Sequence, residues 1–177
     1  MSRRTVIAYW LVPAEPTQSF FQGVINDLAR RYDAPIFEPH VTVHVGLNRA
    51  DVAESGISEA ARTCKLIKLK ALEIGHSSEF IKTLFVQFAL NPELRQLNEI
   101  IRDAAQDSPY YELKPHLSLL YMKMPAPARR QLADSIKVPF WEVTFDALRA
   151  VRCVSPTRTR ADVEAWRVVA TTELSAG

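Results

Sequence analysis

Apolar and polar positions along this chain change period several times, and each change predicts an element. Thr5-Val6-Ile7-Ala8-Tyr9-Trp10-Leu11-Val12 is an unbroken β-branched and aromatic run, the composition of a central strand. The period then lengthens. Phe20, Phe21, Val24, Ile25 and Leu28 recur on one face of a helix for which Thr17 offers an N-cap. That helix stops near Tyr32-Asp33-Ala34-Pro35, because the residue before proline resists the helical region. Period two returns in Pro39-His40-Val41-Thr42-Val43, a strand ending at Gly46. A weaker helical pattern, interrupted by Gly56, covers about 50–63. Two strand-like runs follow, Leu66 to Ile74 and Thr83 to Leu90, joined by the turn residues Gly75-His76-Ser77-Ser78-Glu79.

Asn91-Pro92-Glu93 opens the next helix with a cap, a proline in the first turn and a carboxylate at the positive end of the dipole. Leu94, Leu97, Ile101 and Ala104 form its apolar stripe. After Ser108-Pro109 comes a second period-two segment, Pro115-His116-Leu117-Ser118-Leu119-Leu120-Tyr121. Ala126-Pro127 starts a short helix with Leu132 and Ile136. Two last strands, about Trp141 to Val154 and Val163 to Leu174, flank the polar loop Ser155-Pro156-Thr157-Arg158-Thr159-Arg160. Strand-helix-strand-helix-strand is thus followed by nearly the same order again, a duplication of pattern and not of sequence. Adjacent strands argue for antiparallel sheets and an α+β class. No linker divides the chain, so residues 1–177 read as one domain.

Composition narrows the function only by exclusion. A chain of 177 residues with 47% apolar and 24% charged residues is an ordinary globular protein with room for a substantial core. The net charge of +2 is too small for a nucleic-acid coat. Cys64 and Cys153 make neither a disulfide framework nor a metal spacing and suit a reducing interior; their pairing stays open. Ser2-Arg3-Arg4 ahead of the first apolar run superficially resembles a twin-arginine signal. Pro13-Ala14-Glu15-Pro16 ends that run too early and without a cleavage site, so the expectation is a cytoplasmic protein. No run approaches the ~18 apolar residues a membrane span requires.

The chemistry lies in the repeated strand. Both copies read Pro-His-apolar-(Thr/Ser)-apolar, so each histidine and the hydroxyl two residues on share one face while the aliphatics face the core. Positions i and i+2 lie roughly 6.6 Å apart along a strand, which lets one imidazole and one hydroxyl grip the same small anion. Two such strands side by side would surround a phosphate with two of each. That set suits cleavage of a phosphodiester without metal. Two imidazoles titrating near neutrality serve as general base and acid, while hydroxyls hold the charge that develops on phosphate. A metal site is the competing reading, because His44 extends the first copy to His40-x-Thr42-x-His44. On a straight strand those imidazoles stand roughly 13 Å apart, too far to share an ion with ligand bonds of about 2.1 Å. His44 is expected beside the site or at the strand end, and His76 in a solvent-exposed turn.

These motifs resemble those of the 2H phosphoesterase superfamily, defined by two His-x-(Thr/Ser)-x segments. The chain is most similar to the plant and fungal cyclic phosphodiesterases and their bacterial relatives. Ala8-Tyr9-Trp10-Leu11-Val12-Pro13 resembles that group's opening strand, the segment from Pro115 to Tyr121 its second motif, and Trp166 with the residues after it the closing strand. The resemblance implies a two-lobed α+β fold with an antiparallel sheet in each lobe and a cleft near a pseudo-two-fold axis. It implies hydrolysis of a nucleoside 2′,3′-cyclic phosphate or of ADP-ribose 1″,2″-cyclic phosphate, with no cofactor or metal. His40 and His116 would be the catalytic acid–base pair, Thr42 and Ser118 would bind phosphate, and Tyr121 would contact phosphate or the attacking water. The expected partner is a small cyclic nucleotide, with no membrane, and the expected state a monomer. Trp10 and Phe85 are candidates for stacking on a base.

Arg149, Arg152, Arg158, Arg160 and Arg167 crowd the C-terminal region. They form either a solvated face, the commoner role of such arginines, or a rim for a second phosphate or an RNA strand. The alternatives are an RNA-end phosphodiesterase like the bacterial 2′-5′ RNA ligase-type proteins or an RNA exonuclease of the same superfamily, and a non-catalytic nucleotide-binding module. Intact His and hydroxyl residues in both motifs argue against the latter.

Overall fold

The computed structural model of the chain describes residues 2–106 and 111–177, so the expected lead-in at Ser108-Pro109 lies outside the described residues. In order the elements are β1 (Arg4–Pro13), α1 (Thr17–Tyr32), β2 (Val41–Leu47), α2 (Ala50–Thr63) and β3 (Ile67–His76). After a short 3-10 turn at Phe80–Lys82 come β4 (Leu84–Phe88), α3 (Pro92–Ala104), β5 (His116–Leu120), α4 (Ala126–Ser135), β6 (Glu142–Ser155), α5 (Arg160–Glu164) and β7 (Arg167–Glu173). The class is α+β, as the pattern predicted, and every strand pairing is antiparallel.

All seven strands belong to one hydrogen-bonded sheet, in the order β1-β2-β5-β4-β3-β6-β7, with β1 also paired to β6. The long strand β6 makes this possible. Its first residues pair with β3, Ile67 opposite Phe145, and its remainder is gripped by β1 on one edge and β7 on the other. The strands therefore fall into two antiparallel groups, β2-β1-β6-β7 and β5-β4-β3-β6, which share β6. They meet again where Val41 of β2 pairs with Leu117 of β5.

The unbroken apolar run of β1 is explained by two covered faces. Ile7, Tyr9 and Leu11 enter the main core with Phe21, Ile25, Phe88 and Phe145, while Ala8, Trp10 and Val12 form a second cluster with Val151 on the opposite face. Phe145 is fully buried and meets Phe88 edge-on at 5.7 Å, and truncating such a ring costs about 3–5 kcal/mol. Helix α1 buries Phe21, Ile25 and Leu28 against this core. In α3 the Asn91 side chain accepts from the Leu94 N–H at 2.9 Å, the expected cap.

Several expectations are corrected. Thr17 is the first helical residue and not the cap: its hydroxyl donates to the Ala14 carbonyl at 2.7 Å. Helix α2 runs through Gly56 without interruption, since this buried glycine packs close to Ala104 and Ala105 of α3. Tertiary contact there outweighs the propensity cost of about 1 kcal/mol. The polar loop near the C-terminus continues into α5, closed by a reciprocal capping box between Thr159 and Asp162. Val163 is accordingly a buried helical residue and not the start of a strand. Cys64 and Cys153 are free. Among the described residues no helix is long and apolar enough to cross a membrane.

Candidate active site

The pairing of Val41 with Leu117 determines what the two motifs can do together. Continuing that antiparallel register sets His40 opposite Ser118 and Thr42 opposite His116. Each histidine thus faces the hydroxyl residue of the other motif, about an axis passing between Val41 and Leu117. Val41, Val43, Leu117 and Leu119 point into the core and are buried. His40, Thr42, His116 and Ser118 all line one cavity of about 270 Å³, together with Tyr121. The structure brings together all five residues that the sequence singled out.

Both imidazoles are oriented by the same local device. His40 Nδ1 lies 2.7 Å from the Glu38 carbonyl and His116 Nδ1 lies 2.8 Å from the Lys114 carbonyl, two residues back in each case. A carbonyl accepts only, so Nδ1 carries the proton and Nε2 is left with its lone pair when the ring is neutral. The proline between carbonyl and histidine in both motifs stiffens this turn.

Their surroundings differ. His40 is 7% exposed and lies flat on the Trp10 indole, centroids 3.7 Å apart and planes 10° apart, with Trp166 edge-on at 6.1 Å. Burial holds its pKa down at about 4, against 6.5 ordinarily, with the nearby His116 adding to the depression and the Glu38 carbonyl opposing it. His116 is half-buried and meets Phe85 edge-on at 5.5 Å. Its pKa is lowered by burial, raised by the Lys114 carbonyl, and further lowered by Lys82, with Glu79 pulling back up. Phe85 itself sits under the Lys82 ammonium, 4.7 Å from the ring centroid. Gly75 makes room for that ring, since a Cβ there would stand 2.4 Å from it.

The Ser118 hydroxyl donates to the Ile81 carbonyl at 2.8 Å and lies within reach of the Tyr121 phenol. Tyr121 is buried, stacked on Phe37 at 3.9 Å, and burial drives its pKa well above the ordinary value, so it stays a neutral phenol. Trp10 lines the cavity as expected, but its face covers His40, whereas Phe85 braces His116.

His44 does not line the cavity. The β1–β2 register shifts between Tyr9 and Trp10, so Trp10 pairs with Thr42 but Tyr9 pairs with His44. This bulge turns His44 into the interior, fully buried between Tyr9 and Tyr111, and Val45 takes its place in the cavity wall. His76 is half-buried and not in a turn: it ends β3 and accepts from Arg129 at 3.4 Å. Among the described residues no group of three or more His, Cys, Asp or Glu side chains is placed to hold a metal ion. Arg149 pairs with Glu38, Arg152 donates to Asn48, Arg160 pairs with Asp33, and Arg167 donates to main-chain carbonyls. None of these four lines the cavity.

The family described as cyclic phosphodiesterase-like protein matches residues 5–174 of this chain. A cyclic phosphodiesterase of Arabidopsis thaliana is 24% identical over 177 residues, covering 98% of this chain and 97% of that protein. Among solved structures, E. coli LigT complexed with 3′-AMP aligns over 96% of this chain and 97% of its own, with a TM-score of 0.60 and 14% identity. The protein TT0787 of Thermus thermophilus aligns over 97% of this chain and 98% of its own, with a TM-score of 0.60 and 17% identity. At such identities the two structures speak for the fold alone.

Proposed function

The chain belongs to the cyclic phosphodiesterase-like family of 2H phosphoesterases, and from that premise we propose that it hydrolyses ribose cyclic phosphates by a two-histidine acid–base mechanism. The substrate class is a nucleoside 2′,3′-cyclic phosphate or ADP-ribose 1″,2″-cyclic phosphate. The observation that carries this reading is the Val41–Leu117 pairing of the two motif strands, with His40, Thr42, His116 and Ser118 all lining one cavity. One neutral imidazole takes a proton from water as its oxygen attacks phosphorus. The other, protonated, gives its proton to the ester oxygen that leaves. A P–O bond forms, the ring P–O bond breaks, and the product is a ribose phosphomonoester with a free hydroxyl. Thr42 and Ser118 donate to the phosphate oxygens, Ser118 by rotating its hydroxyl away from the Ile81 carbonyl. Such bonds to an anion contribute about 1.5–3 kcal/mol each. Tyr121 remains protonated, so its phenol can donate to, accept from or orient what lies beside Ser118.

A small substrate suits both the size of the cavity and the arginines, which are engaged with partners in this chain. LigT, whose fold is similar, has been crystallised with 3′-AMP, with ATP and with NADP+, all small nucleotides. The test compares turnover of a 2′,3′-cyclic mononucleotide with that of an oligonucleotide ending in the same group, at low and moderate salt. The mononucleotide should be turned over at least as fast, with little salt dependence. A hundredfold preference for the oligonucleotide that collapses with salt would make RNA ends the substrate.

A further inference from the structure

The two histidines depend on backbone carbonyls for their orientation, so whatever fixes those carbonyls fixes the chemistry. His116 is the first residue of β5, whereas His40 stands just ahead of β2. The Glu38 carbonyl that receives the His40 Nδ1 proton, like the Lys114 carbonyl ahead of β5, lies in an irregular stretch outside any strand. Side chains tie that stretch down. The Phe37 carbonyl accepts from the Gln22 amide at 3.0 Å. Glu38 itself reaches Arg149 of β6, which donates through Nε to Oε1 at 2.5 Å and through Nη2 to Oε2 at 3.0 Å. This is the two-pronged geometry that only arginine offers a carboxylate.

Arg149 is well placed to act as the fixed end. It sits mid-strand in β6, paired to Trp10 of β1 on one side and Thr171 of β7 on the other. Its third nitrogen donates to the Thr171 hydroxyl at 2.6 Å. Through Trp10 the same row continues to Thr42 of β2. Arg149 thus stands between Thr171 on one strand and, on the other, Trp10, on whose indole the His40 ring lies. Both charged side chains are roughly three-quarters buried, at 26% and 29% exposed, so solvent screens the pair only in part. The corresponding pair behind His116, Lys114 with Glu112 at 3.3 Å, is 64% and 67% exposed and so is well screened by solvent.

We infer that Arg149 and Glu38 are positioning residues for His40: the ion pair holds the Glu38 carbonyl where it selects the Nδ1–H form of the imidazole and aims Nε2 into the cavity. The inference rests on His40 being one of the two acid–base groups, and its test separates the two ideas. Glu38→Gln keeps the shape of the side chain but weakens the bidentate pair, and Arg149→Met removes it. Each should lower kcat roughly 10–100-fold with KM within about threefold, the signature of a displaced reacting group. Arg149→Lys should recover only part of the loss, because one ammonium cannot replace the fork. Nitrogen-15 chemical shifts of the His40 ring should move toward a mixture of tautomers. Glu112→Gln should leave kcat within about twofold. Thr171→Val, which removes only the outer brace, serves if Arg149→Met does not fold, and should cost a few-fold in kcat. Wild-type protein inactive on every cyclic phosphate would defeat the proposed function, while the ring shifts would still report on positioning. Active wild type with Glu38→Gln unchanged in both kcat and ring shifts would overturn the inference.

Discussion

The two histidine motifs share a sequence pattern, a carbonyl two residues back and a place on adjoining strands, yet they are built into different surroundings. His40 is closed in, flat against Trp10, with its supporting loop clamped by Arg149. His116 is half-buried, touched edge-on by Phe85, and within the influence of Lys82 and Glu79. The repeated part supplies the chemical groups. The unrepeated part differentiates their proton affinities, as it must if one imidazole is to be neutral while the other is charged. A symmetric pair would still titrate in two steps, because each charged ring disfavours the other, but either ring could then hold the single proton.

The largest effect is expected from removing either imidazole. His40→Ala or His116→Ala should reduce kcat roughly 10²–10⁴-fold, the range for a positioned acid or base. The double variant should lose far less than the product of the two, because they act as a unit. Measured single-turnover rates would check this. If one single variant kept more than a tenth of the wild-type rate, that histidine would not belong to the pair.

The next effect is on pH. With His40 held at about 4 and His116 lowered as well, the kcat/KM profile of the free enzyme should be a bell centred below pH 6.5. A bound phosphate favours both imidazolium forms, so the kcat profile should shift to higher pH than the kcat/KM profile. Stability follows from the same shift. The unfolded chain protonates His40 near pH 6.5 and the folded one only near 4, so the unfolded state binds the extra proton between these values. Folding stability is therefore full above pH 6.5 and falls as pH drops toward 4, by on the order of 3 kcal/mol for this one group. Denaturant titrations at pH 7, 5.5 and 4 should show the fall in wild type and a shallower one in His40→Gln. A profile of the same steepness in both would place the acid sensitivity elsewhere.

The sequence carried the elements and the four motif residues because both are written locally, in period-two alternation and in a pattern repeated after proline. It carried less where long-range contacts decide. The bulge that turns His44 inward depends on how β2 aligns with β1 and leaves no trace in the alternation of β2 read alone. Glu38 and Arg149 lie 111 positions apart, and nothing near either residue marks the other as its partner. The same holds for the Ile81 carbonyl under Ser118 and the Phe37 ring under Tyr121. Helix α5 is a different kind of omission. Thr159 and Asp162 spell a capping box that could have been read.

The smallest effect should sharpen the comparison most, because it changes the environment of each histidine without touching the histidine. Trp10→Leu strips a flat ring from one face of His40 and lets water approach the imidazole. Desolvation is the main cause of the low pKa there, so the value should rise by roughly one unit toward 6.5, with a rate loss of about tenfold or less. Phe85→Leu removes only an edge contact from a histidine that solvent already reaches, and the Lys82 ammonium it supports becomes freer to move away. Lys82 lowers the His116 pKa, so this change should also be upward, and smaller than that at His40. Proton NMR titration of the ring C–H signals in both variants measures the two shifts directly. Equal shifts would mean that the aromatic rings are interchangeable packing and that the difference between the two histidines arises from the rest of their surroundings. A larger shift at His40 would trace the division of labour to a single stacked indole.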